Sequence, residues 1–361
     1  MTLAGTEAHA EAPAPPVAVV AATANESGGA SKVVAGLTVL ERAVKQLRRM
    51  NHRVVVATDG TVPMPALPAD VEVRTVAGRG AIEDLRHALG ATAIVGADVV
   101  RPANRDLGGG LRVTDEESRG RAEDAIFAEL LRGDLGFVAR YLNKPVSFRI
   151  TRALLCRLPF TPNQVTLGAA VVGLCGCALI ATGERWLVVA GFLLAHFQSV
   201  LDGCDGELAR VRFQQSAIGE WLDTIVDDGL NLCLVGSMGV GLARAYGTPL
   251  PMVVGFITCA MLLTYNAVAY RELVRQGEGG EVLKVRWWFL RGRDVKQLVS
   301  QGGPMRFLSA VARRDFFVLA WFVLAALGRF PVVLVYAMLI VIPSFVIALG
   351  QLVLRPHRTR A

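Results

Sequence analysis

Four aspartates recur at fixed intervals in one stretch of the chain. Asp202 precedes Asp205 by three residues. Further along, Asp223 precedes Asp227 by four. On a helix, either spacing places both carboxylates of a pair on one face. Two such pairs facing each other would offer the all-oxygen ligand set that hard divalent cations prefer. The spacing therefore predicts a two-metal site for Mg²⁺ or Mn²⁺, of the kind that clamps a phosphoryl group during in-line displacement.

Two glycines and an arginine accompany the aspartates. Gly206 and Gly219 carry no side chain, so a ligand can approach the backbone closely at these positions. Arg210, one helical turn beyond Gly206, can hold a phosphate through its fork of N–H donors. The stretch offers no conventional nucleophile, which favours direct transfer of a phosphoryl-linked group over a covalent intermediate.

Internal ion pairs do not account for this concentration of acids. Arg210 and Arg212 are the basic residues of the stretch, and two cations cannot neutralise four aspartates. Glu207 and Glu220 add further negative charge. The sequence therefore predicts that bound cations supply the missing positive charge.

The segments around the aspartates are apolar enough to span a membrane. Of 361 residues, 53% are hydrophobic, and the mean hydropathy is +0.43; these values exclude an ordinary soluble enzyme. A carboxylate in the middle of a span costs roughly 2.5–3.5 kcal/mol on insertion scales, so acids in such a place indicate a functional site. The predicted fold is an α-helical membrane protein with six transmembrane helices, preceded by a small soluble α/β domain. The spans are predicted at 163–182, 186–206, 217–242, 250–273, 315–328 and 332–354.

Basic residues predict how these spans are oriented. Twenty lysines and arginines fall on one side of the membrane, whereas the other side has only Arg185, Arg244 and Arg329. The positive-inside rule makes the first side cytoplasmic, which predicts a multi-pass protein of the cytoplasmic (inner) membrane with both termini in the cytoplasm. The second span then ends, and the third begins, at the cytoplasmic surface. The four aspartates would meet where a water-soluble nucleotide can reach them.

The complete pattern resembles the signature of a known enzyme family. The spacing D-x2-D-G-x2-A-R-x8-G-x3-D-x3-D, from Asp202 to Asp227, matches that of the CDP-alcohol phosphatidyltransferase family at every fixed position. The resemblance extends over about residues 137–355. It implies a transferase that breaks the pyrophosphate of a CDP-linked donor, passes the phosphoryl-linked moiety to an acceptor hydroxyl and releases CMP.

The resemblance also implies roles for individual residues. Asp202, Asp205 and Asp223 would be the principal metal ligands. Asp227 would complete the metal site and act as the general base on the acceptor hydroxyl. The implied nucleotide site consists of Gly206, Ala209, Arg210 and Gly219. The implied partners are a CDP-linked donor, a polyol or polyol-phosphate acceptor, membrane lipids and a second copy of the chain in a homodimer, with no nucleic acid.

Three further stretches resemble the subgroup in which a cytidylyltransferase-like domain precedes the membrane domain, the di-myo-inositol-phosphate-phosphate synthase type. They are residues 137–144, 161–166 and 312–317. In the second stretch, Asn163 and Thr166 either belong to a helix cap or contact the nucleotide. In the third, Arg313 and Arg314 either follow the positive-inside rule or bind anionic lipid or the acceptor's phosphate. The donor would be CDP-diacylglycerol or a CDP-polyol, and the subgroup suggests inositol phosphate as the acceptor.

Residues 17–125 are predicted to form the soluble α/β domain. Strands near 17–20, 53–56, 71–75 and 93–95 alternate with helices near 37–50 and 81–89. Such alternation predicts βαβ units and a mainly parallel sheet. The domain resembles nucleotidyltransferases, but the loop after its first strand contains no arginine. Lys32 and Asp98 are therefore interpreted as remnants of a nucleotide site in a degenerate domain.

The remaining segments and the alternative functions complete the prediction. Residues 1–16 are predicted to be a disordered tail, 126–161 a linker with interfacial helices, and 162–355 the transmembrane phosphotransferase domain. A cation transporter with intramembrane carboxylates is a second hypothesis, although acids clustered at one end of the spans argue against a transport path. A third is an inactive scaffold that recruits a separate cytidylyltransferase.

Overall fold

Two structural units make up the chain. The computed structural model describes residues 14–101, 110–132, 135–290 and 313–354. The units are Met1–Arg132 with Val211–Phe213, and Gly133–Arg210 with Gln214–Ala361. Of the predicted tail, residues 1–13 lie outside the described residues. The first unit is α/β and the second is helical, as the composition of the two regions predicts.

The first unit is built on a parallel sheet of four strands. Its strands are β1 (Val17–Ala22), β2 (Val33–Val34), β3 (Leu37–Thr38), β4 (Arg53–Thr58), β5 (Glu72–Thr75), β6 (Ala93–Gly96), β7 (Val99–Val100) and β8 (Leu111–Arg112). The sheet order is β5-β4-β1-β6, and every neighbouring pair is parallel. The prediction of parallel βαβ units is therefore confirmed. The strands β2 and β3, and likewise β7 and β8, form two-stranded antiparallel pairs.

The helices of this unit begin at identifiable caps. They are α1 (Ser27–Ala30), α2 (Val39–Arg49), α3 (Arg79–Leu89) and α4 (Glu116–Leu130). Thr38 Oγ1 accepts a hydrogen bond from the Glu41 backbone N–H at 3.2 Å, and the Glu41 carboxylate accepts one from the Thr38 N–H at 3.0 Å. Such a capping box stabilises a helix by about 1 kcal/mol. It starts α2 where Leu40 and other apolar side chains reach the sheet core.

The second unit consists of helices. They are α5 (Lys144–Ile150), α6 (Pro162–Ala181), α7 (Arg185–Val211), α8 (Ala217–Tyr246), α9 (Leu250–Gln276), α10 (Arg314–Ala326) and α11 (Phe330–Leu354). Two π-helical turns, Ala139–Asn143 and Thr151–Leu155, extend α5 at its two ends. Together they form one helical run, named here segment 139–155.

Five helices in the described part of the chain are long and apolar enough to cross a membrane: α6, α7, α8, α9 and α11. The prediction of six spans is therefore confirmed only in part. The fifth predicted span, 315–328, corresponds to α10, which has 13 residues. At ~1.5 Å per residue such a helix is about 20 Å long, shorter than the ~30 Å of a hydrocarbon core.

Helix α7 continues past the predicted end of the second span. The sequence places that end near residue 206, but the helix runs without a break to Val211. Gly203 and Gly206 are helical residues within it, because packing against neighbouring helices overrides the weak helix propensity of glycine. The aspartates and the arginine of the first half of the motif are thus held on a single rigid element.

Close contacts between helices fix the position of α7. A Cβ atom on Gly176 of α6 would lie 2.7 Å from the Gly191 carbonyl oxygen of α7, so only glycine permits this approach. On the other side, the Phe192 ring packs edge-on against Trp321 and Phe330, with centroid distances of 6.5 and 6.0 Å. This core joins α7 to α10 and α11 and holds the segment that carries the acids.

Candidate active site

Three of the four aspartates meet between two helices. Asp202 lies on α7, and Asp223 and Asp227 lie one turn apart on α8. One carboxylate oxygen from each of the three lies within 4.8 Å of the others. This is the all-oxygen donor set that Mg²⁺ and Mn²⁺ take in proteins. The helical periodicity of the Asp223 and Asp227 pair therefore does bring both of these acids onto the side of α8 that faces Asp202.

Two oxygens of this cluster have no hydrogen-bond partner. Asp202 Oδ1 and Asp223 Oδ1 are buried and accept no hydrogen bond from any of the described residues. A buried polar atom without a partner costs free energy, and a buried anionic one costs more. A divalent cation between the helices would satisfy both oxygens. The residues present therefore fit a bound metal.

Asp205 does not belong to this cluster of three. Its carboxylate accepts a hydrogen bond from Thr166 Oγ1 on α6 and is directed toward the N–H of Gly206. The Thr166 hydroxyl also reaches the Pro162 carbonyl oxygen at 3.2 Å. The predicted set of four ligands thus separates into a cluster of three acids and a fourth acid on the α6 side of α7. Thr166 was predicted either to belong to a helix cap or to contact the nucleotide. In the structure its hydroxyl contacts Asp205.

Of the two arginines at the start of α10, one enters the cluster. The Arg314 guanidinium forms an ion pair with Asp227 through Nη1 and donates from Nη2 to Gln198 Oε1 at 2.8 Å. Arg313 instead points toward Asp315, with 3.4 Å between its Nε and the carboxylate. Of the two arginines predicted to bind an anion, Arg314 therefore lies at the clustered acids, and Arg313 lies beside Asp315.

Gln198 is a site residue that the sequence reasoning missed. It precedes Asp202 by four residues and so lies on the same face of α7, a signal that could have identified it. Its side chain is almost fully buried, and its Nε2 has no acceptor among the described residues. Arg314 Nε is likewise buried without an acceptor. Two unpartnered donors thus stand beside the unpartnered carboxylate oxygens, an arrangement suited to an oxygen-rich ligand.

The residues predicted to line a nucleotide site lie on three helices, α6, α7 and α8. A Cβ atom on Gly206 would be 3.3 Å from Arg210 Nη2, so the glycine gives this guanidinium room to lie over α7. A Cβ atom on Gly219 would be 3.2 Å from Asn163 Oδ1 and 3.0 Å from Ser216 Oγ. Asn163 is exposed in the first turn of α6, and Arg210 is exposed near the end of α7. Polar groups thus border both glycines.

Ala209 and the 161–166 stretch complete the predicted nucleotide-binding set. Ala209 is half-buried on α7, next to Arg210. Thr161 forms a capping box with Gln164, which supports a cap at the start of α6. The cap and the position of Asn163 beside Gly219 are compatible, because they use different residues of the stretch.

Two glutamates that the sequence argument counted as surplus charge have partners of their own. Glu207 accepts hydrogen bonds from Lys144, Ser147 and Thr151, at 2.7, 2.5 and 2.7 Å. Glu220 accepts one from the Glu281 backbone N–H at 3.1 Å and lies 3.7 Å from Lys284 Nζ. The charge argument was wrong on these two acids, because it considered only arginines close in sequence. The excess of carboxylates remains at the three clustered aspartates.

In the α/β unit, the acid interpreted as a remnant of a nucleotide site is engaged. Asp98 is 2% exposed and forms an ion pair with Arg112. Glu26, in the loop after β1, accepts hydrogen bonds from the backbone and hydroxyl of Thr23. Lys32 follows this loop and donates its backbone N–H to the Gly29 carbonyl oxygen. The acids near the carboxyl ends of β1 and β6 therefore bond within the unit.

Comparison with known protein families agrees with this geometry. Residues 160–301 match the model of the CDP-alcohol phosphatidyltransferase family. This match covers α6 to α9 and includes the three clustered aspartates, Asp205 and Arg210. The helical unit therefore carries a CDP-alcohol phosphatidyltransferase domain, and the resemblance drawn from the aspartate spacing is confirmed.

Individual relatives share a single kind of name. The chain is 31% identical over 161 residues to a bifunctional IPC transferase and DIPP synthase of Aquifex aeolicus, which is 45% of this chain and 36% of the relative. It is 36% identical over 115 residues to the protein of the same name from Archaeoglobus fulgidus, covering 32% of this chain and 22% of the relative. The match thus spans about a third of one relative and about a fifth of the other. The name of these relatives is that of the subgroup indicated by residues 137–144, 161–166 and 312–317.

Proposed function

We propose that the helical unit is a metal-dependent CDP-alcohol phosphotransferase. It transfers the phosphoryl-linked moiety of a CDP-linked donor to an acceptor hydroxyl and releases CMP. The observation that carries this proposal is the cluster of Asp202, Asp223 and Asp227, in which two buried carboxylate oxygens have no partner among the described residues. Fold and family support the reaction class, and this cluster supports the metal requirement.

The acids have two roles in this proposal: they hold the metal, and one of them accepts a proton. Asp202, Asp223 and Asp227 would hold the metal, with Asp205 as a further ligand once its bond from Thr166 is exchanged. A bound divalent cation lowers the charge on the pyrophosphate and on the departing CMP phosphate. An alcohol is a weak nucleophile until a base removes its proton, and Asp227 is the member of the cluster assigned to that role.

The donors beside the acids are assigned to the substrates. Arg210, exposed beside Gly206 and half-buried Ala209, binds a phosphate of the CDP group, and Asn163 beside Gly219 contacts the nucleotide. Arg314 pairs with Asp227 and also contacts Gln198. We assign both residues to the acceptor, whose attacking hydroxyl must approach the Asp227 carboxylate. Arg313 supports the position of α10 and contributes less than Arg314 to binding of the acceptor. The guanidinium of Arg314 would favour an acceptor that carries a phosphate.

The likeness to the subgroup supports our proposal for the substrates and partners, and the distribution of basic residues supports our proposal for the location. The donor is CDP-diacylglycerol or a CDP-polyol, and the acceptor is a polyol phosphate such as inositol phosphate. The relatives are named as bifunctional, whereas the acids of the α/β unit of this chain bond within the unit. We therefore propose that this unit is degenerate and that a separate cytidylyltransferase supplies the donor. The protein acts in the cytoplasmic membrane as a homodimer among lipids, with both termini and the aspartates on the cytoplasmic side.

The decisive experiment is a substrate panel. Purified protein in lipid nanodiscs is incubated with several CDP-linked donors and polyol acceptors, with and without Mg²⁺, and the products are identified by mass spectrometry. Metal-dependent release of CMP together with a new phosphodiester is the expected result. Release that continues without any divalent cation contradicts the mechanism. Metal flux into liposomes without nucleotide consumption would instead favour the transporter hypothesis.

A further inference from the structure

Among the described residues of the helical unit, Glu207 is the acid with the lowest exposure. Its side chain is 0% exposed. Oε1 accepts hydrogen bonds from Lys144 Nζ and Ser147 Oγ, and Oε2 accepts one from Thr151 Oγ1. All three donors lie on one face of segment 139–155, and one of them carries a positive charge. A buried carboxylate with this many directional, charge-assisted bonds holds its partners in one geometry.

The hydrogen-bonded group formed by Glu207 and its three donors lies on a different face of α7 from the metal-binding acids. Glu207 follows Asp202 by five residues, which corresponds to a rotation of about 140° around the helix axis. Asp205 is rotated by about 60° in the opposite sense. Gly203 lies on the Glu207 side, where an added Cβ atom would be 3.9 Å from both Lys144 Nζ and Ser147 Oγ. Segment 139–155 therefore contacts the face of α7 that is turned away from the metal-binding acids, called here the rear face. Glu207 lies on this face and is not a metal ligand.

The other end of the same segment is bonded to α10. The Ala139 backbone N–H donates to Asp315 Oδ2 at 2.8 Å. Asp315 directly follows Arg314, which forms the ion pair with Asp227. Close by, a Cβ atom on Gly136 would lie 2.7 Å from Arg313 Nε, so the start of the segment is packed against the start of α10. One continuous helical run thus connects the helix that carries Asp202 to the helix that carries Arg314.

We propose that Glu207 is a positioning residue for the transfer reaction. Its bonds to Lys144, Ser147 and Thr151 fix segment 139–155 on the rear of α7, and the segment in turn fixes the start of α10. Apolar packing alone would allow these helices to slide, whereas an ion pair with two hydroxyl bonds specifies one register. The distance between the metal-binding acids and Arg314 is set in this way. The inference rests on the proposed function, because its catalytic effect is measured as CMP release.

The test separates positioning from stability by using a charge-neutral double substitution. Glu207→Gln alone leaves Lys144 without a counter-charge, so it should lower both the melting temperature and kcat. Glu207→Gln combined with Lys144→Met removes the unpaired charge and should restore most of the melting temperature. If the bonds position the site, kcat of this double variant stays roughly tenfold to a hundredfold below wild type, as expected when a catalytic group is misplaced from a distance. The KM for the donor should change much less than kcat.

Glu272→Gln is the matched control. Glu272 is also a buried acid of the helical unit, and it pairs with Arg275 within α9 at 3.4 Å. Its substitution should leave kcat within about twofold of wild type while lowering the melting temperature slightly, since the Glu272 side chain is buried although Arg275 is half exposed. A double variant with the kcat of wild type would overturn the proposal, because the cluster would then serve stability alone.

A measurement that needs no substrate keeps this inference apart from the proposed function. Hydrogen exchange of the backbone amides in segment 139–155 should be faster in the double variant than in wild type, and unchanged in Glu272→Gln. Unchanged exchange in the double variant contradicts the proposal even if no donor is ever turned over. If Glu207→Gln does not fold, Ser147→Ala removes one bond and keeps the ion pair, and it should show a smaller change in the same direction. A Ser147→Ala protein with wild-type kcat and wild-type exchange would also count against the proposal.

Discussion

Buried acids are used in different ways in the two units of this protein. In the α/β unit, Asp98 pairs with Arg112, and the hydrogen bond and charge of Asp98 raise the pKa of this arginine. In the helical unit, Asp202 and Asp223 each keep a buried oxygen without a partner among the described residues. An acid whose bonds are complete stabilises its own fold, whereas an acid with an open oxygen can bind a cation. Burial alone does not mark a functional acid; incomplete bonding does.

The same contrast exists within one helix. Glu207 and Asp202 both lie on α7, and both are acids in a helix of membrane-spanning length. Glu207 has three donors on the rear face. Asp202 faces two other aspartates. The motif is consistent with this difference, since its fixed positions include all three acids of the cluster, whereas Glu207 occupies a position that the motif leaves unspecified.

Removal of divalent cations tests this comparison and is expected to cause the largest loss of activity. Chelation should reduce CMP release by about 10³-fold or more, because the clustered carboxylates would repel the donor's pyrophosphate without a cation between them. Addition of Mg²⁺ or Mn²⁺ should restore the activity. CMP is measured by liquid chromatography. The melting temperature of the α/β unit should not change, and a large change there would mean that its acids also bind metal.

Asp227→Asn should lower kcat by about 10²–10⁴-fold, the usual contribution of a general base. The donor's dissociation constant should change far less, because the other ligands remain. Both quantities are measured, by steady-state kinetics and by calorimetric titration of the donor.

Asp228→Asn is the matched control for this prediction. Asp228 is the next residue on α8, but its carboxylate already accepts a hydrogen bond from Tyr270 Oη at 2.5 Å. An asparagine can accept the same bond, so kcat should stay within about threefold of wild type. Equal losses in the two variants would contradict the distinction between an acid of the metal-binding cluster and its neighbour outside that cluster.

Arg314→Gln should raise the KM for a phosphorylated acceptor roughly tenfold to a hundredfold, the value of a lost charge-assisted hydrogen bond. The KM for the donor should change little. Arg313→Gln serves as the comparison, since Arg313 points toward Asp315 and not toward the cluster. A larger effect at position 313 than at 314 would show that the acceptor binds on the other side of α10.

Asp98→Asn is expected to have the smallest effect on activity. CMP release should stay within about twofold of wild type, while the free energy of unfolding of the α/β unit falls by about 1–3 kcal/mol because a buried bond is weakened. Calorimetry measures the second quantity. Loss of CMP release in a folded protein would mean that the α/β unit takes part in the reaction, and the comparison between the two units would fail.

Local patterns predicted a large part of this molecule. The valine-rich strands and the parallel sheet follow from periodicity and propensity, and so do most of the apolar helices. The C-terminal end of α7 was missed, and α10 was located correctly but is not confirmed as a span. Gly203 and Gly206 read as helix breakers in isolation, but the contacts of α7 with its neighbours keep them helical. Helix α10 is apolar, but its 13 residues are too few to cross the hydrocarbon core.

The aspartate spacing by itself determined that acids would share helix faces and offer an all-oxygen donor set for a divalent cation. The reaction class was implied by the resemblance of the complete motif to a known family. Only the tertiary structure decided which acids remain open. It brought Arg314 to Asp227 across 87 residues of sequence, gave Asp205 a bond from Thr166, and supplied Glu207 with donors 56 to 63 residues away. Helical periodicity acts over one or two turns, so it can place a side chain on a face. What that face meets depends on packing between distant segments.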